Sequence, residues 1–116
     1  EEKDYKWMEL AVEEEWIPKL DNIEEDFEKL IDVKACLKVL ICFPEESIRS
    51  DLPSYLGGNV SAHRMKLPEE AYLLIIFSRD KKRKQTERLL LEGFEIDYRG
   101  NVRPISSKYF PDSPKT

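Results

Sequence analysis

The stretch Val12-Glu13-Glu14-Glu15 places two carboxylates, Glu13 and Glu15, two positions apart. Side chains alternate between the faces of an extended strand, so these two point the same way. Like charges held side by side resist joint ionisation, and a divalent cation bound through oxygen ligands relieves that repulsion. The competing reading is the solvated end of an edge strand, where glutamate is common. Spacing alone leaves both open.

A second charged feature has the opposite sign. Arg79, Lys81, Lys82, Arg83, Lys84 and Arg88 stand against Asp80 and Glu87 within ten residues. Such a loop could contact phosphates, or could serve as a solvated hairpin tip that protects a sheet edge from aggregation. The cluster has no interleaved aromatic residues, so base stacking is not indicated. His63, the sole histidine, has no Cys or His near it and reads as a surface or capping residue. Ser47, Ser50 and Ser61 lack the His and Asp context of a nucleophile. Gly57-Gly58-Asn59 is a turn without a phosphate-binding fingerprint, which disfavours a nucleotide-binding domain.

The elements that must position these groups follow from periodicity. Residues 5–15 alternate with period two and read as a strand. Pro18 and Asp21-Asn22 break it, and Asp21 or Asn22 can cap a helix over 22–33 whose apolar stripe is Ile23, Phe27, Leu30 and Ile31. Residues 35–43 hold one polar residue in nine, Lys38, and residues 71–78 are similarly apolar. Both suit strands covered on two faces, and the long crossover between them, opening with Pro44-Glu45-Glu46, makes them parallel neighbours. Residues 93–98 and 102–105 read as an edge hairpin that tolerates Pro104, and 106–116 as a loosely held tail. The expectation is one α/β domain over 1–105 with a central mixed sheet flanked by helices.

Composition bounds the remaining choices. A chain of 116 residues and 13.7 kDa suits one domain, and 41% hydrophobic residues can build its core. No apolar run reaches the roughly 18 to 20 residues of a membrane span, and the start lacks the apolar core of a signal peptide. A cytoplasmic domain is expected. The chain does not begin with Met, so elements of the fold can lie before residue 1. Nineteen Lys and Arg against 24 Asp and Glu give a net charge of −5, so nucleic acid would have to meet a local basic patch. Cys36 and Cys42 fall on one strand face roughly 20 Å apart, beyond disulfide reach, and read as buried apolar side chains in a reducing compartment. Trp7 and Trp16 flank the acidic strand as core or groove residues.

The order of elements adds a resemblance. Met8 to Glu15, then Ile23 to Leu30 with the pair Lys29-Leu30, then Val33 to Ile41 resembles the PD-(D/E)XK nuclease superfamily. There a strand ending in Glu-x-Glu or Glu-x-Lys precedes a helix with a Lys-Leu pair and an apolar strand. The resemblance spans about residues 7 to 43 and implies a restriction endonuclease-like fold that hydrolyses phosphodiesters with Mg²⁺ or Mn²⁺. It makes Glu13 a metal ligand and puts Glu15 where the family more often has the lysine that orients water, beside the same metal. Lys29 would replace that lysine, and Asp4 is the upstream candidate for the first ligand. Nucleic acid, DNA foremost, would lie along Lys81, Lys82, Arg83, Lys84 and Arg88. No Pro-Asp pair precedes Glu13, and the family's opening helix and first strand would lie before residue 1. The alternative is a nuclease-fold scaffold without hydrolysis, binding nucleic acid or protein, as a homodimer or within a larger parent protein.

Overall fold

The computed structural model describes residues 8–63, 68–80 and 88–110. Strand β1 (Met8–Glu15) leads through helix α1 (Leu20–Asp32) to β2 (Ala35–Cys42). A short helix α2 (Glu46–Arg49) and then α3 (Leu52–Ala62), which runs through Gly57-Gly58-Asn59 where a turn was expected, lead to β3 (Ala71–Asp80), and β4 (Arg88–Ile96) and β5 (Val102–Phe110) follow. The five strands form one sheet in the order β1-β2-β3-β4-β5. β1, β2 and β3 run parallel, and β4 and β5 follow antiparallel, so the α/β fold with a mixed sheet expected from the sequence is the fold that forms. Among the described residues no helix is long and apolar enough to cross a membrane.

Helix α1 buries the stripe read from its spacing: Ile23, Phe27, Leu30 and Ile31 are all inside. It begins earlier than expected, with Lys19 at the N-cap and no side-chain cap, leaving Asp21 in the first turn at the favourable end of the helix dipole. Helices α1 and α3 touch each other and lie on the same face of the sheet. Phe27, Leu30 and Leu56 pack there against Leu40, Leu74 and Ile76. Alternation sends these strand residues to the helix side and their neighbours Val39, Leu73 and Ile75 to the other. Val39 is buried yet stands outside that core cluster.

Lys38 breaks the apolar pattern of β2 in the middle of this core. Its side chain has no exposure, and its Nζ donates to the Ile31 carbonyl at 3.0 Å, lies 3.4 Å from the Tyr72 hydroxyl and pairs with Glu70 at 3.2 Å. One ammonium thereby joins the last turn of α1 to the start of β3. At this same end of the sheet, where Ile96 pairs with Tyr72, the hairpin turn after β4 is held by Asp97, whose Oδ1 accepts the backbone N–H groups of Arg99 and Asn101 at 2.9 Å each. Gly100 there has φ +90°, and its carbonyl lies so near α3 that a Cβ on Gly57 would stand 2.5 Å from it.

The hairpin strands are longer than the sequence pattern indicates. β4 starts at Arg88, and β5 continues to Phe110, into the stretch expected to be a tail. Ladder hydrogen bonds come from the backbone, so Ser106 to Lys108 pair with β4 although their side chains give no strand signal. A register shift opposite Gly93 and Phe94 leaves Ile105 as the extra residue beside Pro104 on this edge strand. Cys36 is exposed, contrary to expectation, while Cys42 is buried. Pairing with β3 begins only at Leu37, so Cys36 stands beyond the end of its neighbour.

Replacing Lys38 by Ala leaves Glu70 charged and buried without its cation. Urea unfolding should show a loss of about 3–5 kcal/mol, and the double variant Lys38→Met/Glu70→Leu should recover most of it.

Candidate functional site

Glu13 and Glu15 lie on the helix side of β1, opposite Leu40 and Cys42 of β2. β1 is the sheet's outer parallel strand, so α1 alone borders this corner from above. Glu15 accepts the backbone N–H of Ile17 at 2.9 Å, which folds the chain over its carboxylate as it leaves the strand. A hydrogen bond with Asp26 of α1 holds the Glu15 carboxyl above the usual glutamate range, because two acids in contact favour a shared proton. Asp26 is buried and also receives the Lys29 ammonium at 3.2 Å. That contact raises the Lys29 pKa, with Glu13 adding its field. Burial pushes the neighbouring Cys42 thiol up to about 12, so it is a packed, un-ionised side chain.

The structure thus brings Glu15 and Lys29 to Asp26, with Glu13 within the field of Lys29, and Asp26 is a residue to which the sequence reading gave no role in a site. The signal was present: Asp26 falls three positions after Ile23 and next to Phe27, at the border of the apolar stripe. Lys29 is exposed and engaged through Asp26. Among the described residues no three His, Cys, Asp or Glu side chains are grouped as metal ligands would be. Asp4 lies outside the described residues, as do Lys81, Lys82, Arg83 and Lys84. Arg88, expected in the basic loop, begins β4 with a buried side chain whose guanidinium stacks 4.8 Å over the Tyr109 ring.

A cleft of about 370 Å³ opens at the carboxyl ends of the parallel strands, lined by Pro18, Phe43, Pro44, Arg49, Ser78 and Arg79 among others. Ligands of open α/β sheets commonly bind at this end. Here the walls are largely self-satisfied: Arg49 donates to the Ser78 hydroxyl at 2.7 Å and lies 4.0 Å from Glu92, while Lys19 pairs with Glu45 at 3.2 Å. Nothing in the local sequence around Arg49 marks it, since its partners come from β3 and β4. His63 caps the end of α3 and sits 3.2 Å from Asp32, the capping role read from the sequence. Trp16 is exposed rather than part of the core.

An exposed apolar feature lies on the opposite face of the sheet. Leu10, Val12 and Leu37 are 52%, 47% and 39% exposed there. Leu89 and Phe110 continue the same face at the far edge. No helix among the described residues covers it.

The raised Glu15 pKa has a signed consequence. A carboxyl whose folded pKa is raised adds stability at low pH and loses that contribution as pH rises through the folded value. The Glu15 side-chain carbonyl, followed by NMR, should titrate above the ordinary glutamate pKa in the native chain and fall back in Asp26→Asn. Comparison with known proteins assigns no family: no family model matches the chain, and neither does any curated protein or solved structure.

Proposed function

We propose that this chain is a protein-interaction module that works through the open face of its sheet. The observation that carries the reading is the one-sidedness of the fold. Both α1 and α3 serve a single face, while Val12, Leu37, Leu73, Ile75 and Phe77 project from the other. A sheet built from apolar parallel strands ordinarily has both faces covered. A contiguous apolar surface of this kind, rimmed by charge, marks a protein contact. A photo-crosslinking residue placed at Leu37 should give covalent adducts in cells, one at Glu28 on the helix side should give few, and Ile75→Lys should abolish the Leu37 adducts. Equal labelling at both positions would remove the open face from consideration.

A second reading rests on the corner at Glu13, Glu15 and Lys29. Paired carboxylates at the end of one strand and a lysine on the helix that follows are the groups that the resemblance to PD-(D/E)XK nucleases implies for Mg²⁺-dependent hydrolysis of nucleic acid. Against it stands the engagement of Lys29 with Asp26. Calorimetric titration with Mg²⁺ and Mn²⁺ decides: saturable heat in the native chain that Glu13→Gln/Glu15→Gln abolishes favours this reading. Equal or absent heat in both proteins removes it.

A further inference from the structure

Two clefts meet at one side chain. The cleft of about 370 Å³ at the carboxyl ends of the parallel strands and a second of about 390 Å³ between the start of α3 and the β4–β5 hairpin share a single lining residue, Arg49. Its guanidinium carries five N–H donors. One goes to the Ser78 hydroxyl, on the wall of the first cleft, at 2.7 Å. Glu92, on the wall of the second, is 4.0 Å away, beyond hydrogen-bond length. Among the described residues the other donors meet no acceptor, and with the side chain 33% exposed they are open to an incoming ligand.

Ser78 is the second unspent donor. It projects from β3 on the helix side, two residues after Ile76, and is only 7% exposed. Its oxygen accepts from Arg49, while among the described residues its own proton has no acceptor. A buried hydroxyl in that state forfeits a hydrogen bond that water would have given it. Guanidinium and hydroxyl thus stand side by side at the cleft, both needing an acceptor.

The rest of the cleft defines what carries that acceptor. Phe43, as the chain leaves β2, and Pro18 and Pro44 form an apolar wall. Lys19 neutralises Glu45 at 3.2 Å, and Glu46 and Arg79 are opposite in sign, so the charge left over is that of Arg49. Apolar walls, a few convergent polar groups and a volume of about 300 to 1,000 Å³ are the usual form of a small-molecule site. A carboxylate takes two parallel N–H bonds from a guanidinium, and the Ser78 proton supplies a third bond. A flat ring behind the carboxylate would lie on Phe43 and the prolines.

We infer that this cleft binds a small aromatic carboxylate, held by the Arg49 guanidinium and the Ser78 hydroxyl with its ring against Phe43, Pro18 and Pro44. The site lies at the strand ends, apart from the open sheet face, and stands whether or not that face is a protein contact.

Titration of the full chain with benzoate, followed by ¹H–¹⁵N NMR, tests this. The amides of Phe43, Arg49 and Ser78 should shift along one saturable curve with a Kd of about 1 mM, while that of Leu37 on the open face stays still. Benzamide keeps the shape without the charge, and acetate keeps the charge without the ring; each should bind at least about tenfold more weakly. Arg49→Gln and Ser78→Ala should each weaken benzoate about tenfold, and Arg103→Gln, which removes an exposed guanidinium on β5, should leave it unchanged. The amide spectrum of each free variant confirms its fold, and Ser78→Ala keeps the test decisive if Arg49→Gln disturbs α2. Absence of a saturable shift overturns the inference, as does benzamide or acetate binding as tightly as benzoate. Benzoate binding that survives both cleft variants unchanged overturns it as well.

Discussion

Two parallel steps in one direction, β1 to β2 to β3, govern this molecule. Crossovers between neighbouring parallel strands share one hand, so two successive steps the same way deliver both connections to the same side of the sheet. Helices α1 and α3 are thereby brought together over one face and contact each other. A doubly covered sheet needs a reversal of strand order, and here β3 is followed by the β4–β5 hairpin instead. The open apolar face and the one-sided core both descend from that topology.

Within the covered face, charge is placed where it links elements. Lys38 is enclosed by a helix-terminal carbonyl from α1 and by a carboxylate and a phenol from the start of β3. A buried ion pair of this kind contributes little net stability compared with apolar packing, but any other alignment of α1 over β2 and β3 would strand its charge. At the corner of β1 the same chemistry is looser. Asp26 accepts from the Lys29 ammonium at 3.2 Å, and its hydrogen bond with the Glu15 carboxyl raises the Glu15 pKa, while Glu13 adds its field at Lys29. A cation from α1 thus already stands beside the acids of β1.

Local pattern revealed the elements well. The helical stripe of α1, the apolar strands β2 and β3, their parallel pairing and the closing hairpin were all legible, because each is written in a period or a connection length. Strand ends were not. β5 reaches Phe110 through serines and a lysine because its pairing is a property of the backbone of β4 beside it. The acidic corner was half legible: Glu13 and Glu15 announce themselves by spacing, and Asp26 could have been found from its place beside Phe27. Arg49 and its partners could not, since they meet only after three elements are folded together.

The sequence by itself determined which residues alternate and which recur every three or four positions, and with these the α/β class and the mixed sheet. It determined that strands near 35–43 and 71–78 are apolar on both faces, without saying what lies against each. Only the tertiary structure decided that one of those faces has its helices and the other has none among the described residues. Periodicity records the burial a residue requires, whereas the side from which that burial comes depends on crossover direction and strand order, which exist only once the chain has closed on itself.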